Sequence, residues 1–406
     1  GMHSLALTAD NRILTWGVND QGALGRDTTW DGGLKDVDED SDSDEEPETD
    51  RLNPREANPI AIPSTAFPEG TTFVQVAAGD SSSFALTDDG LVYGWGTFRS
   101  NEGIFGFTRH GLEKNVRVQD DPILIDGLKK ITSIVCGANH VLALDSAGKV
   151  YAWGAGQQMQ LGRRINERHQ DAALDPTSVA IPRQKVKFIG SGEFHSFAID
   201  EKDNVWAWGL NSFGETGVPE GAGGDSAIIV KPTKAANLTG YTFKMIAGGS
   251  HHSIGLTTDG RVLGWGRIDG GQLGVATDAM DVDDESIVVK DARGRPRIML
   301  KPVQIPGWFL SFLFPHSIHR TNTVLPDLTA TYVTCGPEHG IAISDKGRAY
   351  SWGFNANYQL GLGHANDVPT ATLIDNTATR DVKLVWAGAG GQFGVVAGPS
   401  VNVNGA

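Results

Sequence analysis

Five histidines, His3, His140, His195, His252 and His339, stand at one repeated step of the chain, each thirteen residues before a Trp. Histidine titrates nearest neutral pH and ligates metals, so a recurrent His first raises acid–base or metal chemistry. Recurrence at a single repeat position argues instead for a structural ring, hydrogen-bonded to neighbouring backbone. The residue just before this step varies: Met2, Ser81, Asn139, Phe194, His251, Glu338 and Gln392. Variable side chains on a constant scaffold suit a recognition surface. The sequence has no CxxC, no clustered His/Cys ligands, no nucleophile elbow and no phosphate loop, and it gives no sign of metal or covalent chemistry. Cys136 and Cys335 each precede the Gly of a repeat and read as small core residues rather than a disulfide.

A second irregularity lies in loop length. From the Trp to the final Gly of the following Leu-Gly step is nine residues in five units (the fourth has Thr216-Gly217), but eleven in the second, Trp95 to Gly106. Two extra residues project there, on a turn where Gly103 and Gly106 flank Ile104 and Phe105. Apolar residues on a glycine turn seek a partner.

The elements that position these residues follow from the repeat. Thirteen residues separate His3 from Trp16, Ser82 from Trp95, His140 from Trp153, His195 from Trp208, His252 from Trp265 and His339 from Trp352. Two short strand-forming runs fill each interval, joined by turn chemistry such as Asp88-Asp89-Gly90, Ser146-Ala147-Gly148 or Thr258-Asp259-Gly260. One further run precedes the hairpin and another follows the Leu-Gly step, which makes four strands per unit. The expected fold is all-β: a seven-bladed β-propeller of four-stranded antiparallel blades over residues 1–406, one domain. The chain begins on the Gly of a hairpin, and the seventh hairpin, from Gly390 to Phe393, reaches Ala406 without its Trp-Gly. The expectation is that a closing half-blade is missing from the N-terminus.

Composition fits this reading. Gly is 52 of 406 residues, against an average near 7%, and only 20% of residues are charged. Net charge is −15, yet residues 36–50 carry ten acidic residues and no basic ones, which leaves −5 on the other 391. That run is read as a disordered acidic insertion, and the chain as given carries no basic footprint for nucleic acid. A second insertion, 275–328, contains the apolar run from Trp308 to Phe314. Residues 308–324 are read as translated intron, because Phe, Leu, Ser and Pro codons are pyrimidine-rich. With no leader and no run of 18 apolar residues, the chain is expected to be soluble and intracellular, with no membrane partner.

These units resemble the regulator of chromosome condensation family, propellers whose founding member is the guanine-nucleotide exchange factor for the small GTPase Ran. The resemblance is carried by Asn19 to Thr28, by Ala78-Gly79-Asp80-Ser81 leading to Ala85 through Gly90, and by the run from Trp95 to Gly106, which matches the family's β-wedge. The acidic insertion is similar to that of fungal members. The resemblance implies nucleotide exchange on Ran without covalent chemistry or cofactor, nuclear localisation, and chromatin association through a basic tail lying outside this chain. It implies Asp80, Asn139 and His251 as catalytic positions, although the founding member carries Asp where Asn139 stands. It implies Phe98, Arg99, Ser100, Asn101, Glu102, Gly103, Ile104 and Phe105 as the GTPase-binding wedge. It also implies His3, Asp20, Arg163 and Arg267 as further GTPase contacts; Phe393 replaces a family His.

Other readings stay open on sequence alone. A propeller adaptor without exchange activity is the alternative. An ultraviolet receptor needs clustered Trp beyond the repeat, where only Trp30, Trp206, Trp308 and Trp386 lie. An enzyme working at the propeller centre needs convergent acid and base groups.

Overall fold

The computed structural model describes residues 1–31, 52–110, 114–182, 185–305 and 329–399. Both the acidic run 36–50 and residues 308–324 lie outside them. Every full repeat forms the expected hairpin, and one register recurs: His3 lies opposite Gly17, Ser82 opposite Gly96, His140 opposite Gly154, His195 opposite Gly209, His252 opposite Gly266 and His339 opposite Gly353. The constant spacing is that register. At the hairpin turns the chain enters the left-handed region at Gly90, Gly148, Gly260 and Gly347, and at Asn11 and Asp203 in the other two. Gly, Asn and Asp are the residues that tolerate it.

The described residues form a six-bladed propeller. Blade 1 has three strands, His3–Leu7, Ile13–Gly17 and Ile60–Ala61. Blade 2 runs Phe73–Ala78, Ser82–Thr87, Val92–Gly96, Gln119–Leu124; blade 3 Ile131–Cys136, His140–Asp145, Val150–Gly154, Thr177–Ser178; blade 4 Val186–Ser191, His195–Asp200, Val205–Leu210, Ile228–Lys234. Blade 5 runs Phe243–Gly248, His252–Thr257, Val262–Arg267, Pro296–Gln304, with Val288–Lys290 as a fifth, outermost strand. Blade 6 runs Ala330–Cys335, His339–Ser344, Ala349–Gly353, Val368–Leu373.

This corrects the expectation of seven four-stranded blades. The residues counted toward a seventh make only a two-stranded ribbon, Trp386–Ala389 with Gly394–Ala397. Blade 5 gains a strand because the start of insertion 275–328 folds: Met280, Val288 and Met299 are buried in its core, and Ile298 is buried against the blade 4 loop at Gly214 and Gly223. The strands nearest the axis pack in sequence from blade 1 through blade 6 to the ribbon, and the Gly391 N–H donates to the Gly1 carbonyl at 3.4 Å.

The core sits between blades. Trp95, Trp153, Trp208, Trp265 and Trp352 are fully buried. Four of them donate Nε1–H to a loop carbonyl of the preceding blade: Trp95 to Ala23 at 2.9 Å, Trp208 to Gln160 at 2.8 Å, Trp265 to Glu215 at 2.9 Å and Trp352 to Gln272 at 2.9 Å. The Leu-Gly step is glycine for the same reason: a Cβ on Gly25 would lie 2.7 Å from Trp95 Nε1.

The consensus histidines lock the same seams. His3, His140 and His195 reach the Oγ of Ser83, Ser196 and Ser253 in the next blade at 2.8, 2.8 and 2.9 Å. Each serine spends its proton on a carbonyl of the blade before its own (Ala23, Gln160, Glu215), so each His donates from Nε2. Gly-x-x-His needs its glycine because a methyl on Gly137, Gly192, Gly249 or Gly336 would collide with the ring. Burial pushes His140 and His252 down to about 3, His3 and His339 down to about 4, and His195 well below the usual value. Both cysteines are free, and burial raises both thiols.

Candidate functional site

The shared register gives every blade two ends. The turn entering the His step and the loop leaving Trp-Gly lie at one end, and the hairpin turns lie at the other. The variable positions and the lengthened loop are therefore gathered on one face. The turns on this face are tied in a backbone chain: the Asp80 N–H donates to Ala138 O at 2.7 Å, Ala138 to Glu193 O at 3.3 Å, Glu193 to Gly249 O at 3.0 Å and Ser250 to Pro337 O at 2.9 Å. Side chains beside these bonds are displayed from a rigid rim.

The lengthened loop of blade 2 is itself a two-stranded ribbon, Phe98–Ser100 with Gly103–Gly106. Its tip residues Asn101 and Glu102 are exposed, and Gly103 turns at φ 106°. Its base is buried. Phe98 stacks on Phe84 and Phe107 at 6.1 and 5.8 Å, and Trp153 meets Phe84 edge-on at 5.7 Å. This aromatic group fills the seam where blade 2 lacks the Leu-Gly step. Phe98 is 0% exposed, which corrects its expected place among the contact residues: it anchors the ribbon. Ile104 and Phe105 are half-buried, Phe105 against the core of this seam and against the core on the far side of blade 3. Two side chains hold the ribbon from outside. Asn139 Oδ1 accepts the Arg99 N–H at 2.7 Å, and Arg117 Nη2 donates to Ile104 O at 3.0 Å.

The remaining candidates divide. Asp20 is exposed on the 3-10 turn Asp20–Gly22, and Asp80 is partly exposed on its turn. His3 is corrected: it is 4% exposed and bonded to Ser83, so it belongs to the seam and not to the surface. Arg163 turns back on its own blade, donating Nη1–H to Ala152 O at 2.9 Å, as Arg26 does to Thr15 O at 2.8 Å in blade 1. Burial lowers Arg163 to about 10. The guanidinium is thus a repeat feature, turned inward rather than displayed.

A cluster that the repeat did not single out surrounds His251. Its ring packs on Phe213, centroids 4.6 Å apart, and its Nδ1 lies 3.7 Å from Glu215 Oε1. Arg267 and Arg297 lie over the Phe213 ring at 5.5 and 4.7 Å. Arg267 pairs with Asp269 at 2.5 Å and Glu338 at 3.5 Å. Beside it, Glu193 accepts the Ser250 hydroxyl at 2.5 Å, and burial raises its carboxyl above the usual range. The overlooked signal was Glu215, an acid where Gln160, Gln272 and Gln359 stand in other blades. Among the described residues no helix is long and apolar enough to cross a membrane.

The chain matches the RCC1-like domain over residues 1–396. It is 39% identical over 405 residues to the guanine nucleotide exchange factor SRM1 of Saccharomyces cerevisiae, covering 98% of this chain and 77% of that protein. It is 37% identical over 399 residues to the protein pim1 of Schizosaccharomyces pombe, covering 98% and 66%. Its fold matches the crystal structure of Prp20p from Saccharomyces cerevisiae, described with its binding properties to Gsp1p and histones, at a TM-score of 0.81 and 36% identity over 99% of this chain and 82% of that one.

Proposed function

Because the chain belongs to the family of the RCC1-like domain, we propose that it is a guanine-nucleotide exchange factor for the small GTPase Ran. The observation that carries this reading is the exposed ribbon of blade 2, standing on the same face as Asp80, Asn139 and His251. A GTPase holds its nucleotide through backbone amides at a helix N-terminus, a Lys and Mg²⁺. A partner that binds the nucleotide-free form more tightly lowers affinity for GDP and GTP alike, and mass action sets the direction. Here the ribbon is the element with the reach to enter such a site. Its backbone is held rigid by Asn139 and Arg117, and Glu102 at the tip offers a carboxylate to the cationic groups that the phosphates leave. No bond of the nucleotide is made or broken, so the face needs rigidity and shape rather than a nucleophile.

Histone binding, described for Prp20p, is extended to this chain on the same grounds, and with it a nuclear place of action. The second reading, an adaptor that binds without releasing nucleotide, leaves the lengthened ribbon without a purpose. Release of labelled GDP from Ran tests the two: substoichiometric chain accelerates release if it is an exchange factor, whereas binding without acceleration identifies an adaptor.

A further inference from the structure

The loop between the third and outer strands carries Gln160, Gln272 and Gln359 in blades 3, 5 and 6. Each Oε1 accepts the backbone N–H two residues earlier, Gln158 at 2.8 Å, Gly270 at 2.9 Å and Asn357 at 2.8 Å. In blade 4 the same position is Glu215, whose Oε2 accepts the Phe213 N–H at 2.7 Å. The carboxylate therefore repeats the scaffold bond of the glutamines, and nothing in the scaffold requires its charge. That charge is costly. Glu215 is 0% exposed, its Oε1 has no hydrogen-bond partner, and the one basic group facing it among the described residues is His251 at 3.7 Å. A buried carboxylate with one oxygen left unpartnered is unfavourable, and its retention asks for a purpose.

We propose that Glu215 is a positioning residue for His251: it holds the Nδ1–H of the ring, so that Nε2 is the atom presented to the GTPase. The proposal rests on the exchange reading above. A carboxylate only accepts, so the ring nitrogen facing it carries the proton. At 3.7 Å the two atoms face each other beyond hydrogen-bond distance, so the hold is electrostatic: the carboxylate favours the tautomer whose proton faces it. Phe213 supports the flat of the ring from the same loop, and that loop is fastened to the next blade through the Glu215 carbonyl, which accepts from Ser253 Oγ at 2.8 Å and Trp265 Nε1 at 2.9 Å. Of the other charged groups near the ring, Arg267 pairs with Asp269 and Glu338, Glu193 accepts from Ser250, and Arg297 lies over the Phe213 ring at 4.7 Å. His251 is thus the reverse of His3, His140 and His195, which donate from Nε2 to a serine. Orientation of an imidazole by a buried carboxylate behind it is a recurring way to fix tautomer and direction.

Glu215→Gln is the discriminating variant, because three other blades show that Gln fits this loop. Its Oε1 takes the Phe213 N–H, its NH₂ faces His251, and two donors cannot face each other, so the ring proton moves to Nε2. The expected result has three parts. Nitrogen-15 spectra of histidine-labelled chain at pH 8, with His251 assigned by its Ala variant, show Nδ1–H in the parent and Nε2–H in Glu215→Gln. GDP release from Ran slows at least tenfold, while the melting temperature holds or rises. The double variant with His251→Ala is no slower than His251→Ala alone, and Glu215→Asp, which keeps the acceptor, recovers most of the rate. An active parent whose Glu215→Gln variant keeps the parental tautomer or the parental rate overturns this role alone. A parent that does not accelerate release overturns the exchange reading and this role together.

Discussion

At the residue scale the molecule separates two histidines that are neighbours in sequence. His252 is buried at the repeat's seam position, while His251 is partly exposed on the face. His252→Ala should cost roughly 2 kcal/mol of stability through the cavity it leaves, since its ring has no hydrogen bond to lose, and exchange should stay near parental. His251→Ala should slow exchange at least tenfold with little change in melting temperature; the reverse pattern would reassign both. The seam histidines also set a pH dependence. Buried at about 3 for His140 and His252 and about 4 for His3 and His339, against 6.5 when unfolded, they stay neutral in the fold while the unfolded chain takes up protons. Their contribution is therefore complete above pH 6.5 and is lost as pH falls toward the folded values, by about 1 kcal/mol per histidine per pH unit. Melting should be flat from pH 7 to 8 and fall steeply between 6.5 and 4.5; a flat acid limb would contradict the burial of these rings. The pattern of the seam is partly legible in the sequence. His3, His140 and His195 each face a Ser that follows the next His step, whereas His252 and His339 face the equivalent Gly340 and Gly394. A Cβ on Gly340 would lie 2.5 Å from Trp352 Cε2, so serine does not fit there.

At the element scale the blade 2 ribbon combines a free tip with a buried base. Loop length alone located it, because eleven residues against nine is a count that needs no coordinates. The division of labour within it was hidden, since an apolar residue beside a turn reads equally as contact or anchor, and only the stack of Phe98 with Phe84 and Phe107 decides. The same holds for Asn139: a lone amide before a His step reads as a surface group, and its bond to the Arg99 N–H depends on how two blades approach. Deleting Asn101 and Glu102, which restores the nine-residue spacing, should leave melting unchanged because Phe98 and Phe107 remain in place. Exchange should fall at least tenfold, about 1.4 kcal/mol of differential binding to nucleotide-free Ran. Phe98→Ala should instead destabilise the fold by about 3–5 kcal/mol. A tip-deleted chain that exchanges at the parental rate would remove the ribbon from the mechanism.

At the scale of the whole molecule, repetition does most of the work. The thirteen-residue interval becomes a register, the register gives each blade two ends, and one end collects the variable side chains on a face tied by backbone hydrogen bonds. The propeller and its candidate face were legible because each repeat reports the others. The blade count was not: a hairpin start such as Gly390 to Phe393 looks the same whether or not outer strands join it, and the described residues close on six blades and a ribbon. Nor was the fifth strand of blade 5, since Val288–Lys290 pairs through a connector whose length alone read as insertion. The account as a whole stands on one claim, that this face loosens the grip of Ran on its nucleotide. The most direct measurement loads Ran separately with labelled GDP and labelled GTP and follows release with catalytic amounts of the chain. Acceleration of both, by similar factors and lost on deleting the ribbon tip, is the predicted result; stoichiometric binding with release of neither nucleotide accelerated would contradict it.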